Sequence, residues 1–221
     1  MLFVANVVPA MFFLALLLMF RIATLQDLKS FSWPMLAAQF ASYACQLAVL
    51  VPLLPAVAHR SLRDLGLRIP TARDLLWAIG GAVAMVLAAT AVAAFQESFL
   101  HVKADEVQVQ MLRKASGSVL AGLVFLACVA APFFEELTFR GFIFNAFLRY
   151  MPWWAAALVS GIIFGGVHWL PGNNGAILPL AAGGVVLAVV YYRSGSLVSS
   201  MITHALFNTF TVVLVVVFHQ M

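Results

Sequence analysis

Charge is the scarcest commodity in this chain. Lysine, arginine, aspartate and glutamate make up 9% of its 221 residues, where an ordinary soluble domain carries roughly 25%. A water-facing surface cannot be built from so little. Cysteine is nearly missing too: Cys45 and Cys128 lie far apart in apolar runs, which excludes a disulfide framework and a cysteine metal cluster. The amino terminus, "MLFVANVVPAMFFLALLLMF", lacks a basic leader region, and no small-residue cleavage site follows it. It reads as a retained first span rather than a signal peptide. Basic clusters are also lacking. The 12 lysines and arginines mostly flank apolar runs, so the net charge of +4 speaks of membrane topology and not of a nucleic-acid surface.

What the chain does have is apolar length. Hydrophobic residues reach 64% and mean hydropathy is +1.04, the signature of an all-α, polytopic membrane helix bundle. Crossing the hydrocarbon core takes about 20 apolar residues. The runs predict spans at about 2–20, 34–58, 75–95, 118–149, 153–170, 176–192 and 196–218. That is seven helices in one integral membrane domain over residues 1–221.

Between the second and third spans, "HRSLRDLGLRIPTARDL" carries four arginines with Gly and Pro as breakers and is expected along the membrane surface. Residues 96–117, the most polar stretch, predict a short amphipathic helix at the interface. The side holding the 59–74 loop, Arg149 and Arg193 counts six basic residues. The other side, with Arg21, Lys29, Lys103, Arg113 and Lys114, counts five. The balance places the first side in the cytoplasm.

Against this background "APFFEELTFRGFIF", residues 131–144, stands out. Two glutamates and an arginine sit in a stretch that belongs in lipid, where ionisable groups are costly and mark function. The turn at Pro152 serves as a ruler. Glu135 precedes Arg149 by 14 residues, ~21 Å along a helix. His168 follows Trp153 by 15 residues, ~22 Å. His204 and Asn208 follow Gly195 by 9 and 13 residues, ~14 and ~20 Å. Glu135, Glu136, Arg140, His168, His204 and Asn208 therefore share one slab inside the bilayer, contributed by three helices.

Local spacing adds detail. Glu136 and Arg140 are i, i+4 and can pair on one face, as a structural ion pair would. Glu135 is turned ~100° away and can face another partner. Phe164 shares a face with His168, and His204 with Asn208. A desolvated carboxylate can take a proton from water. Two neutral imidazoles can steer that water, or hold a divalent metal that acidifies it. An asparagine amide can donate to a developing oxyanion. Together these are the parts of a peptide-bond hydrolase using activated water and, less completely, of a proton-coupled transporter. Other protease designs find no support: H-E-x-x-H and G-x-S-G are absent, and Asp27, Asp64, Asp74 and Asp105 all fall in loops by this reading. Ser194 and Ser196 read as turn residues.

The motifs resemble a known family. "EELTFR" is similar to the E-E-x-x-x-R signature of the type II CAAX prenyl endopeptidases and their prokaryotic relatives, the CPBP (Abi) intramembrane proteases. "FGGVH" resembles their F-x-x-x-H motif, "HALFN" their H-x-x-x-N/D motif, and "LRDLGLR" a segment that often precedes the core. The three motifs fall in order within residues 118–218, the expected catalytic core. The resemblance implies a cavity inside the bundle, open to the cytosol and the bilayer of a prokaryotic plasma membrane. Glu135 would activate the water with His168, His204 would assist or orient it, and Asn208 would stabilise the oxyanion. Glu136, Arg140 and Phe164 would support the site. A zinc ion held by Glu135, His168 and His204 is compatible with the same motifs. The expected partners are the lipid bilayer and a lipidated or transmembrane peptide, with a prenylated C-terminal peptide as the family's substrate class. A non-catalytic scaffold or bacteriocin-immunity partner retaining the same fold is the competing reading.

Overall fold

The computed structural model of the chain describes residues 33–57, 64–104, 107–115, 117–169 and 174–218. Every regular element among them is helical, and five helices are long and apolar enough to cross a membrane. The expected first span lies outside the described residues. The second to seventh spans fall within three residues of their predicted ends, except that the third runs on to Leu100.

The first described helix, α1, is Trp33–Val57. The second, α2 (Ala72–Leu100), is α-helical to Phe95 and finishes in a wider π turn over Gln96–Leu100. Thr71 starts it. The threonine hydroxyl accepts from the Asp74 amide at 3.3 Å, while the Asp74 carboxylate accepts from the Thr71 amide at 2.7 Å. These two bonds form a reciprocal cap that satisfies otherwise orphaned donors. Arg68 grips the same carboxylate at 2.6 and 3.0 Å, and Ser199 donates to it at 3.0 Å. Asp74 is thus not a loop residue, as its neighbours suggested, but a buried member of the first turn. Nor does the segment before it simply lie on the membrane surface. Leu65 is fully buried and its carbonyl accepts from the Leu197 amide at 3.0 Å, because one apolar side chain between polar neighbours has a core to enter.

A short helix, α3 (Val107–Lys114), accounts for part of the amphipathic element expected over 96–117. Residues 96–100 belong to the end of α2. Next comes α4 (Gly117–Phe147), 31 residues long and interrupted by two π-helical stretches, Leu126–Ala130 and Leu137–Phe144. A π turn withdraws backbone carbonyls from the regular ladder and is common at functional sites. Both stretches here use that freedom, since side chains take up the released acceptors. Asn145 donates to the Arg140 and Gly141 carbonyls at 2.7 and 3.1 Å.

Pro152 ends that helix and admits α5 (Trp153–Val167). At 15 residues, or ~22 Å, α5 is shorter than the ~30 Å hydrocarbon core. Its end is fixed by contact with α6 (Ile177–Ser194), entered through a 3₁₀ turn at Asn174–Ala176. Gly161 and Gly165 face α6 so closely that a Cβ on Gly161 would stand 2.8 Å from the Ala181 carbonyl oxygen, and one on Gly165 would overlap that of Ile177. Small residues four apart allow this backbone-to-backbone approach. The helix closes at Gly195, whose left-handed φ of 65° suits glycine. Ser194 and Ser196 hydrogen-bond across that turn, as read from sequence. The last helix, α7 (Leu197–Phe218), packs with α2, α5 and α4 around α6 directly or through one another, leaving α6 at the centre of the bundle.

Candidate active site

Glu136 occupies a dry, fully occupied position on α4. Arg140 donates to its Oε1 at 2.8 Å from one turn on, and His204 donates to the same oxygen through Nδ1 at 3.1 Å. Ser200 donates to Oε2. Both Glu136 and Arg140 are wholly buried. The second arm of the guanidinium reaches the Gly184 carbonyl of α6 at 2.7 Å, and its Cζ lies 4.9 Å from the centre of the Phe164 ring. A buried charge pair is tolerable only when most of its remaining hydrogen-bonding capacity is taken up. Helices α6 and α7 supply partners for both Glu136 oxygens and the second guanidinium arm, while Arg140 Nε is left without one among the described residues.

Glu135 faces elsewhere. Its Oε2 stands 3.9 Å from His168 Nε2 and 4.0 Å from His204 Nε2. Each ring is held by its other nitrogen. His168 Nδ1 donates to the Phe164 carbonyl at 2.7 Å at the end of α5, and His204 Nδ1 is committed to Glu136. In the neutral rings these bonds fix the tautomer, so both Nε2 lone pairs point toward the Glu135 carboxylate. Side-chain exposures of 17% for Glu135 and 20% for His168 against 0% for Glu136 decide which carboxylate water reaches. Phe164 lies beneath both imidazoles, 4.8 Å from the His168 ring and 5.8 Å from that of His204.

Six of the seven residues singled out from the sequence thus meet: Glu135, Glu136, Arg140, Phe164, His168 and His204. Asn208 sits one turn along α7 from His204, and its amide donates to the Ala127 carbonyl at 2.7 Å. That carbonyl belongs to the first π stretch of α4, a feature with no sequence mark at this position. Two other contributors carried no motif. Ser200 precedes His204 by one turn and shares its face. Tyr43, on α1, donates to Glu135 Oε1 at 3.3 Å and stacks on Phe134 with ring centres 4.5 Å apart. Among the described residues no three His, Cys, Asp or Glu side chains are placed to hold a metal ion. Tetrahedral zinc draws its ligand atoms to about 3.3 Å of one another, closer than the 3.9 and 4.0 Å found here. A zinc ion held by Glu135, His168 and His204 would need these three side chains to draw closer than they stand.

Fold and site together define the class: an all-helical membrane bundle with a carboxylate and two imidazoles converging in its interior. Residues 117–210, the region bearing the three motifs, are similar to the family described as "Type II CAAX prenyl endopeptidase Rce1-like". The chain is also similar to a Bacillus subtilis (strain 168) protein named "Putative membrane peptidase YdiL", with 24% identity over 173 residues, 78% of this chain and 69% of that protein. No solved structure matches.

Proposed function

We propose that this protein is an intramembrane endopeptidase in which Glu135, with His168 and His204, activates a water molecule for attack on a peptide bond. One observation carries the reading: a water-accessible carboxylate oxygen 3.9 and 4.0 Å from two imidazole nitrogens whose rings are anchored from behind. Those gaps are too long for direct hydrogen bonds and suit a water that donates one proton to Glu135 and the other to an imidazole. Glu135 takes the water's proton as hydroxide adds to the carbonyl carbon, and returns it to the departing amine. The two imidazoles hold the water on the side of the peptide where addition occurs. The second N–H of Asn208, beyond the one given to Ala127, donates to the oxyanion. Glu136 and Arg140 keep His204 in its tautomer.

The substrate class is a prenylated C-terminal peptide or another peptide held at the membrane, which suits a site reached from within the bundle. We place the protein in a prokaryotic plasma membrane, with the 64–74 side and the opening of the site toward the cytoplasm. The deciding experiment is cleavage of a fluorogenic farnesylated C-terminal peptide by purified protein in detergent, beside Glu135→Ala and His204→Ala, with and without chelator. The proposal expects cleavage by wild type, none by either variant, and no effect of chelator. Loss on chelation with rescue by zinc would replace water activation by Glu135 alone with a metal mechanism. Failure of folded wild type to cleave this peptide or a transmembrane one would favour the scaffold reading.

A further inference from the structure

Tyr43 lies on α1, well outside the matched residues 117–210, yet it reaches the reacting carboxylate. Its hydroxyl donates to Glu135 Oε1 at 3.3 Å, while Oε2 of the same group faces the two imidazoles. The side chain is 6% exposed. Its ring lies flat on Phe134, the residue preceding Glu135, with an interplanar angle of 8°. Gln39, one turn earlier on α1, reaches the same phenol. The ring contact needs only a phenylalanine. A buried hydroxyl is unfavourable unless it finds an acceptor, and the acceptor here is Glu135.

A carboxylate acting as base must present one oxygen to water at a fixed angle. With nothing on the other oxygen, the group would turn about its terminal torsion, which is broad and roughly two-fold in glutamate. Among the described residues the hydrogen bond that Glu135 accepts comes from Tyr43. We propose that Tyr43 is a positioning residue: it holds Oε1 so that Oε2 stays aimed at the space between His168 and His204. This rests on the reading of Glu135 as the base, and it extends the site to a helix that carries none of the three motifs.

The test is Tyr43→Phe, which keeps the stack on Phe134 and deletes only the hydroxyl. The expected result is a fall in kcat on the order of 10-fold, with KM unchanged to within about twofold and an unaltered melting temperature in detergent. An unchanged kcat overturns the proposal, and so does a loss of melting temperature accounting for the lost turnover. A second readout needs no turnover. With 3-fluorotyrosine at position 43, the fluorine resonance is expected to shift on Glu135→Gln and to stay put on Glu97→Gln, a control on the exposed end of α2. A resonance blind to Glu135→Gln overturns the proposal whether or not the protein cleaves peptide. A coupled resonance in a wild type that cleaves nothing would keep Tyr43 as the partner of Glu135 while refuting the endopeptidase reading on which its role rests.

Discussion

Glu135 and Glu136 are neighbours on one turn of α4, with the same side chain, in different surroundings that His204 touches on both sides. Around Glu136 every oxygen is engaged: Arg140 and His204 on one, Ser200 on the other, with no exposed surface. Around Glu135 there is a single phenol, two imidazole nitrogens just beyond bonding distance, and a side chain left partly exposed. One carboxylate is fully committed within the protein and the other is left able to react. The 100° between successive residues of a helix is enough to separate them. His204 joins the two halves, since its Nδ1 serves the dry side and its Nε2 the wet one. Changes on the dry side should therefore act through stability, and changes on the wet side through turnover.

The largest effect expected on the dry side comes from Arg140→Met, which strands Glu136 without its main counter-charge. Removing one partner of a buried pair costs about 3–5 kcal/mol, so thermal unfolding in detergent should drop steeply or folded protein should fail to accumulate. A stable, active Arg140→Met protein would break the division into two halves. Ser200→Ala removes one donor from the same carboxylate, and the cost expected for a bond to a charged group is roughly 1.5–3 kcal/mol. It should lower the melting temperature and leave KM as it was. Smallest is Thr71→Ala, which unmakes the cap of α2 far from both glutamates and should cost about 1 kcal/mol. It sharpens the comparison as a control, because peptide cleavage below the melting transition should match wild type.

Much of this arrangement was legible from spacing alone. The turn at Pro152 places Glu135 and His168 at one depth, and the structure brings Oε2 of one to 3.9 Å from Nε2 of the other. The i, i+4 pairing of Glu136 with Arg140 holds at 2.8 Å. What stayed hidden depends on contacts between distant helices. Tyr43 is one tyrosine in an apolar helix, and only the packing of α1 on α4 makes it a partner of Glu135. The π turn over Leu126–Ala130 follows from no local composition, so the diversion of the Asn208 amide to Ala127 could not be foreseen. Asp74 was misjudged for a related reason. Its burial comes from Arg68, Thr71 and Ser199 arriving together, and Ser199 is 125 residues away.

The most direct test of the central claim is to measure cleavage and melting temperature for Glu135→Gln and Glu136→Gln side by side, in the same detergent and with the same membrane-bound peptide. The account predicts that Glu135→Gln melts like wild type and cleaves at least about 10³-fold more slowly, while Glu136→Gln loses much of its thermal stability. A Glu135→Gln protein that still turns over, or a Glu136→Gln protein that is fully stable and inactive, would contradict it.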